Sequence, residues 1–160
     1  MLAKRQDLVF GSTKCYRAVV STAFRQWPAN SHCNQNHGYG LSFIATFEAL
    51  YLDTHNWVVD FGGLKTFKNW LEDMFDHKTL VADDDPALQW FRDGERKWGA
   101  LTIRSVPATG CEAIALLTFE RLEQWLQENN YHPRVWLAKL EVSEHDGNSA
   151  YVRRRTHADP

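Results

Sequence analysis

The chain has 160 residues and a formal net charge of −2, with a sequence pI near 6.4. That length suits one domain over residues 1–160 whose core needs no staples, and the balanced charge argues against nucleic acid as a partner. Three scattered cysteines without a Cys-x-x-Cys pair argue against a disulfide framework and for a reducing, cytoplasmic setting, and no apolar run approaches membrane-spanning length.

Residues 15–24 are β-branched and roughly alternating, so they read as a strand. Residues 40–50 alternate more clearly, with Leu41, Phe43, Ala45, Phe47 and Ala49 on one face. Between these strands lies a polar loop, residues 28–38, that carries Cys33 and His37. An extended stretch at 57–61 stops at Gly62-Gly63. A helix follows, because Leu64, Phe67, Leu71, Met74 and Phe75 recur at helical spacing. Asp83-Asp84-Asp85 reads as a solvated turn, and the segment to Arg96 has room for a short helix. Residues 101–106 alternate as a strand. Thr109 with Glu112 three residues on forms a capping-box pattern. It opens a helix to about residue 129 that buries Ala115, Phe119, Leu122 and Leu126. Residues 134–143 form a strand with Trp136, Ala138, Leu140 and Val142 inward, and residues 150–152 a last one. Arg153-Arg154-Arg155 reads as a solvated tail. Paired long strands with two main helices between the pairs indicate α+β with a four-stranded antiparallel sheet rather than a βαβ array. Such a sheet leaves edges and one face to be covered, and other subunits are one means of doing so. The aromatic content of 13% fits either subunit packing or plain core filling.

The groups able to do chemistry fall in three stretches. Cys33 is flanked by Ser31, His32, Asn34, Gln35 and Asn36, with His37 close by. Neighbouring imidazolium or a metal lowers a thiol pKa and makes it a base or nucleophile; the alternative is an inert loop cysteine. His37 before Gly38 suits a metal ligand, a proton relay or a structural histidine. Asp76-His77 is a base with its orienting carboxylate, although adjacent residues need not face each other. Asp60 reads as a turn carboxylate, and Glu112 as the capping carboxylate with a ligand role second. Glu141 lies on the polar face of its strand. It is either solvent-facing or a carboxylate that receives the paired N–H donors of a guanidine-like ring edge.

Together Cys33, His37-Gly38, Val59-Asp60-Phe61-x-x-Leu64-Lys65, Phe75-Asp76-His77, a loosened Pro107 to Glu112 segment and Glu141 resemble, in this order, the 6-pyruvoyl-tetrahydropterin synthase and 6-carboxytetrahydropterin synthase family. The likeness runs from about residue 17 to 152. It implies a T-fold, in which subunits join their sheets into a barrel, commonly as a homo-hexamer with sites between protomers. It also implies a lyase acting on 7,8-dihydroneopterin triphosphate, with Cys33, Asp76 and His77 moving protons and Glu141, with Glu112 second, holding the pterin. Of the two activities, formation of 6-carboxytetrahydropterin for 7-deazapurine (queuosine-type) synthesis is preferred. The alternatives are 6-pyruvoyl-tetrahydropterin synthesis and a zinc-less, non-catalytic pterin- or purine-binding relative.

The family holds Zn²⁺ with three histidines. Of these only His37 is carried over by position, and His32 is a second candidate ligand from the same loop. Tyr39 stands where the loop motif has its second histidine. The early strand runs Phe24-Arg25-Gln26-Trp27-Pro28 where its motif ends in histidine. Tyr39 either acts as a third ligand or replaces the metal with a hydrogen bond.

Overall fold

The computed structural model describes residues 8–155. β1 (Phe10–Phe24) and β2 (His37–Ala49) form a long hairpin, followed by α1 (Lys65–Phe75), β3 (Lys78–Ala82), α2 (Leu88–Trp98), β4 (Ile103–Val106), α3 (Cys111–Glu128), β5 (Val135–His145) and β6 (Asn148–Arg153). All six strands join one sheet in the order β4-β3-β1-β2-β5-β6. The β1–β2, β2–β5 and β5–β6 pairs are antiparallel. The β1–β3 and β3–β4 pairs are parallel. The α+β class stands, but the expected four-stranded antiparallel sheet is corrected to six strands in a mixed sheet. The strand absent from the sequence reading is β3, and its lack of alternation explains why. Thr79, Leu80, Val81 and Ala82 are all buried, as is usual for a parallel strand covered on both faces. Leu80 belongs to the main core, whereas Val81 is buried apart from it, as is Phe91 of α2.

The face of β2 read from alternation is the core face: Leu41, Phe43, Ala45, Phe47 and Ala49 are completely buried. Phe67, Leu71 and Phe75 of α1, and Ile114, Ala115, Leu122 and Leu126 of α3, close over it. Each buried Phe or Leu is worth about 1.5–3 kcal/mol of transfer free energy. Small or polar residues, Gly38, Gly40 and Ser42, alternate onto the opposite face, which α2 meets at β3 and β4 and which is helix-free along β2 and β5.

Several local expectations need correction. In β5 the inward set is Val135, Leu137, Leu140 and Val142. A bulge lets Thr46 oppose Lys139 while Phe47 opposes Leu137, so Trp136 and Ala138 point the other way. The stretch at 57–61 is not extended throughout: it bends at Val58 and Val59. At α3 the N-cap is Gly110, with φ 106°, and Thr109 Oγ1 instead donates to the Arg25 carbonyl at 2.6 Å. Glu112 therefore falls one position too early for a capping box. The acidic turn is solvated at Asp83 and Asp84, which are exposed, but not at Asp85, which is buried and pairs with Arg25. Asp84 also accepts from Trp27 Nε1 at 3.0 Å, and Asp83 from Ser105. In the expected C-terminal tail, Arg154 Nε donates to the Leu137 carbonyl at 3.2 Å and its guanidinium pairs with Glu123.

Candidate functional site

One end of the sheet gathers polar groups from four segments: the end of β1, the loop into β2, the N-terminus of α3 and the end of β5. The loop is built before anything binds to it. Arg25 donates to both carboxylate oxygens of Asp85, Nε to Oδ2 at 2.8 Å and Nη2 to Oδ1 at 2.6 Å. Its remaining nitrogen reaches Asn34 Oδ1 at 3.2 Å. Asn34 Nδ2 donates to the Trp27 carbonyl at 3.0 Å, and the Gln26 amide donates to the Cys33 carbonyl at 2.9 Å. Cys33 thus sits half-buried on a 3-10 turn, His32–Asn34, whose position is set by a paired guanidinium. His32 is exposed on the same turn.

Across the ladder, Phe24 pairs with His37 and Thr22 with Tyr39. His37 and Tyr39 share the parity of Leu41, so their rings lie on the helix-covered face beside Phe24. Ring centroids are 5.3 Å apart for Phe24–His37, 5.8 Å for Phe24–Tyr39 and 5.2 Å for His37–Tyr39. His37 Nδ1 lies 2.6 Å from the Gln35 carbonyl. A carbonyl only accepts, so Nδ1 carries the proton and Nε2 is left as the free position.

Glu144 on β5 completes this end. Burial raises its carboxyl above the usual range; the charges of His37 and His145 pull it back down, and Glu112 adds a further rise. Burial also raises the Tyr39 phenol, helped by Glu144, Cys33 and Cys111. Cys111 Sγ donates to the Val142 carbonyl at 3.1 Å, and burial pushes that thiol up to about 11. Glu144 therefore feels the charges of His37, His145 and Glu112, and Tyr39 those of Glu144, Cys33 and Cys111, which marks this end of the sheet as one polar neighbourhood.

The other expected residues lie elsewhere on the subunit. Asp76 and His77 link α1 to β3 and meet β1 from its far side. Asp76 Oδ1 accepts the Ser21 amide at 2.9 Å, and Oδ2 is 2.9 Å from His77 Nδ1. The Ser21 N–H, then His77, hold the Asp76 carboxyl below the usual range. His77 has φ 55°, a strained region for a residue with a side chain, and its amide donates to the Ser21 carbonyl at 2.6 Å. Its side chain is 84% exposed. Glu141 lies on the helix-free face, in a cavity of about 340 Å³ lined by Gly40, Ser42, Ser143 and Ser149. Lys139 Nζ lies 2.6 Å from its Oε2, and Lys139, then Ser149, lower its carboxyl. β3 and β5 are separated in the sheet by β1 and β2, so the Asp76–His77 couple and Glu141 are at least about 14 Å apart, the width of three strand spacings.

The structure brings Cys33, His37 and Glu112 together and leaves His32, Asp76, His77 and Glu141 outside that cluster. Glu144 is the residue that sequence reasoning missed. Its signal was parity with Val142, correctly expected inward, but Glu144 lies one step past the expected strand end at residue 143. Among the described residues, no group of three or more His, Cys, Asp or Glu side chains is placed to hold a metal ion. Where the family implies three imidazoles, this chain offers one imidazole, one phenol and one hydrocarbon ring, and that set does not fit zinc.

The family model described as 6-pyruvoyl tetrahydropterin synthase matches residues 16–155. No curated protein matches the chain. Among solved structures, an uncharacterized protein from Wolinella succinogenes is similar with TM-score 0.77 and 21% identity, over 93% of this chain and 100% of that one. The 6-pyruvoyl tetrahydropterin synthase of Caenorhabditis elegans is similar with TM-score 0.64 and 18% identity, over 92% of this chain and 97% of that one. That of Plasmodium falciparum gives TM-score 0.67 and 15% identity, over 92% of this chain and 99% of that one. At these identities the solved structures speak to the fold alone.

Proposed function

The chain belongs to the 6-pyruvoyl tetrahydropterin synthase family, and we propose that it is a lyase of the 6-carboxytetrahydropterin synthase type, acting on 7,8-dihydroneopterin triphosphate within 7-deazapurine (queuosine-type) synthesis. The observation that carries this reading is the Asp76–His77 couple. Asp76 is fixed by the Ser21 amide and accepts from His77 Nδ1, which leaves Nε2 as a proton acceptor. An imidazole held in one tautomer, on strained backbone, and exposed to whatever approaches is costly to keep unless it has work to do.

Within one subunit this couple lies across β1 from Cys33. The proposal therefore includes a homo-oligomer in which the couple of one protomer faces the Cys33 cluster of its neighbour. Cys33 and His77 then move protons at the side chain of the substrate from opposite sides. Glu144, supported by Glu112, receives the N–H donors of the pterin ring in place of Glu141, whose carboxylate is occupied by Lys139 and Ser149. No step is routed through zinc.

A second reading, a zinc-less pterin- or purine-binding relative without turnover, is favoured by Phe24 and Tyr39 at the ligand positions. One experiment separates the two. The purified protein is incubated with 7,8-dihydroneopterin triphosphate, and products are followed by mass spectrometry. Release of triphosphate with a 6-carboxy product, lost in His77→Gln, supports the lyase. Saturable pterin binding without product supports the binding relative and overturns the first reading.

A further inference from the structure

We infer that the place where this family gathers three imidazoles is a metal-free site in this chain, in which His37 and Tyr39 present a hydrogen-bond acceptor and donor against the wall of Phe24. The inference rests on family membership and ring geometry, so it stands or falls apart from the proposed activity.

The backbone keeps the positions. With Zn–N near 2.1 Å and tetrahedral angles, three imidazoles on one ion have centroids about 5.2 Å apart. Phe24, His37 and Tyr39 stand 5.2–5.8 Å apart, so three rings still pack against one another at separations compatible with that arrangement. The chemistry has changed. Phe24 is completely buried and has no lone pair to give. A phenol binds a divalent cation well only after losing its proton, which costs more beside the Glu144 carboxylate. Of these three rings His37 alone offers a ring nitrogen, with Nδ1 already committed to the Gln35 carbonyl. The exposed His145 ring lies 6.3 Å from that of Tyr39, and among the described residues it joins no set of three that could hold a metal ion. The sulfur of Cys111 is turned to Val142. A catalytic zinc site takes three protein ligands plus water, and one imidazole is far short of that. What remains suits an uncharged hydroxyl or carbonyl on a ligand, met by the Tyr39 O–H and the His37 Nε2.

The test uses the full chain stripped with chelator, then titrated with zinc chloride by calorimetry and assayed for retained metal after gel filtration. Wild type should retain no more zinc than its His37→Ala variant. Phe24→His with Tyr39→His restores three imidazoles and should tighten zinc binding by well over 100-fold, since even an outer-shell partner is worth about 10- to 100-fold. Stoichiometric zinc on wild type that disappears in His37→Ala overturns the inference. A folded double variant that gains no zinc overturns it too, because the rings would then not share a metal-sized position. If the double variant fails to fold, Tyr39→His alone replaces it. Its two imidazoles should give a smaller but measurable gain over wild type, and no gain overturns the inference.

Discussion

Replacing Asp85 by Ala should destabilise the protein by about 3 kcal/mol and loosen the Cys33 loop at the same time. The magnitude follows from the contacts. The Asp85 side chain is 1% exposed. It accepts two charge-assisted bonds from Arg25 at 2.6 and 2.8 Å and the Ala87 amide at 2.7 Å. Removing one partner of a buried pair costs about 3–5 kcal/mol, mostly by stranding the other charge. Arg25 keeps a side-chain exposure of 20%, so it partly rehydrates and the loss falls at the lower end. For a chain of this size that corresponds to a fall in Tm of roughly 6–12 °C. Asp85→Asn keeps the shape and part of the bonding, and should cost less. The sign of the pH dependence is fixed by direction. Arg25 first, then the Ala87 amide, hold this carboxyl below its ordinary value. The contribution is therefore complete above the unfolded-state value near pH 4 and is lost as pH falls through the folded one. Urea unfolding at fixed protein concentration, at pH 7 and pH 3, measures both effects. The wild-type advantage over Asp85→Ala should shrink at the lower pH. An Asp85→Ala variant within 0.5 kcal/mol of wild type at pH 7, a change of the size a plain surface substitution gives, refutes the reasoning.

Three other outcomes follow from the site. His77→Gln should lower triphosphate release by roughly 10²- to 10⁴-fold, the usual worth of a positioned acid–base group, with little change in pterin affinity by fluorescence titration. Glu144→Gln should weaken pterin binding by about 10-fold or more, one charge-assisted bond being worth about 1.5–3 kcal/mol, while Glu141→Gln leaves it near wild type. Equal losses from the two would return the ring to Glu141. Alkylation at pH 8 followed by peptide mass spectrometry should label exposed Cys15 and half-buried Cys33 well before Cys111, which is buried and held as a neutral thiol. Labelling of Cys111 alongside Cys33 would contradict that burial.

The hairpin and the two long helices were legible because their apolar periods are clean. Leu41 to Ala49 alternate without interruption, and Leu64, Phe67, Leu71 and Phe75 recur at helical spacing. β3 was not legible because a strand covered on both faces does not alternate. Within the acidic run Asp85 alone was misread, for a related reason: nothing local to it announces that Arg25, sixty residues earlier, will bury it. Likewise Thr109 carries the right residue type for a cap, but the hydroxyl is taken by the Arg25 carbonyl, and Gly110 turns the chain with φ 106° instead.

The two carboxylates of β5 divide by strand parity. Successive side chains of a strand point to opposite faces. The bulge near Ala138 turns Trp136 and Ala138 out of the core but leaves Leu140 and Val142 inward, as their alternation indicated. Glu141 therefore lies on the opposite face, tied to Lys139, and Glu144 shares the parity of Val142, near the charges of His37 and Glu112. A carboxylate that grips a planar ring needs its lone pairs free and its surroundings drier than bulk water, because both strengthen a charge-assisted bond. Glu141 has already spent its lone pairs on neighbours in its own sheet. Glu144, half-buried and with a raised carboxyl, has the imidazoles of His37 and His145 rather than a lysine as its favourable charge neighbours, and an N–H fork from a ligand would add paired donors that these do not supply.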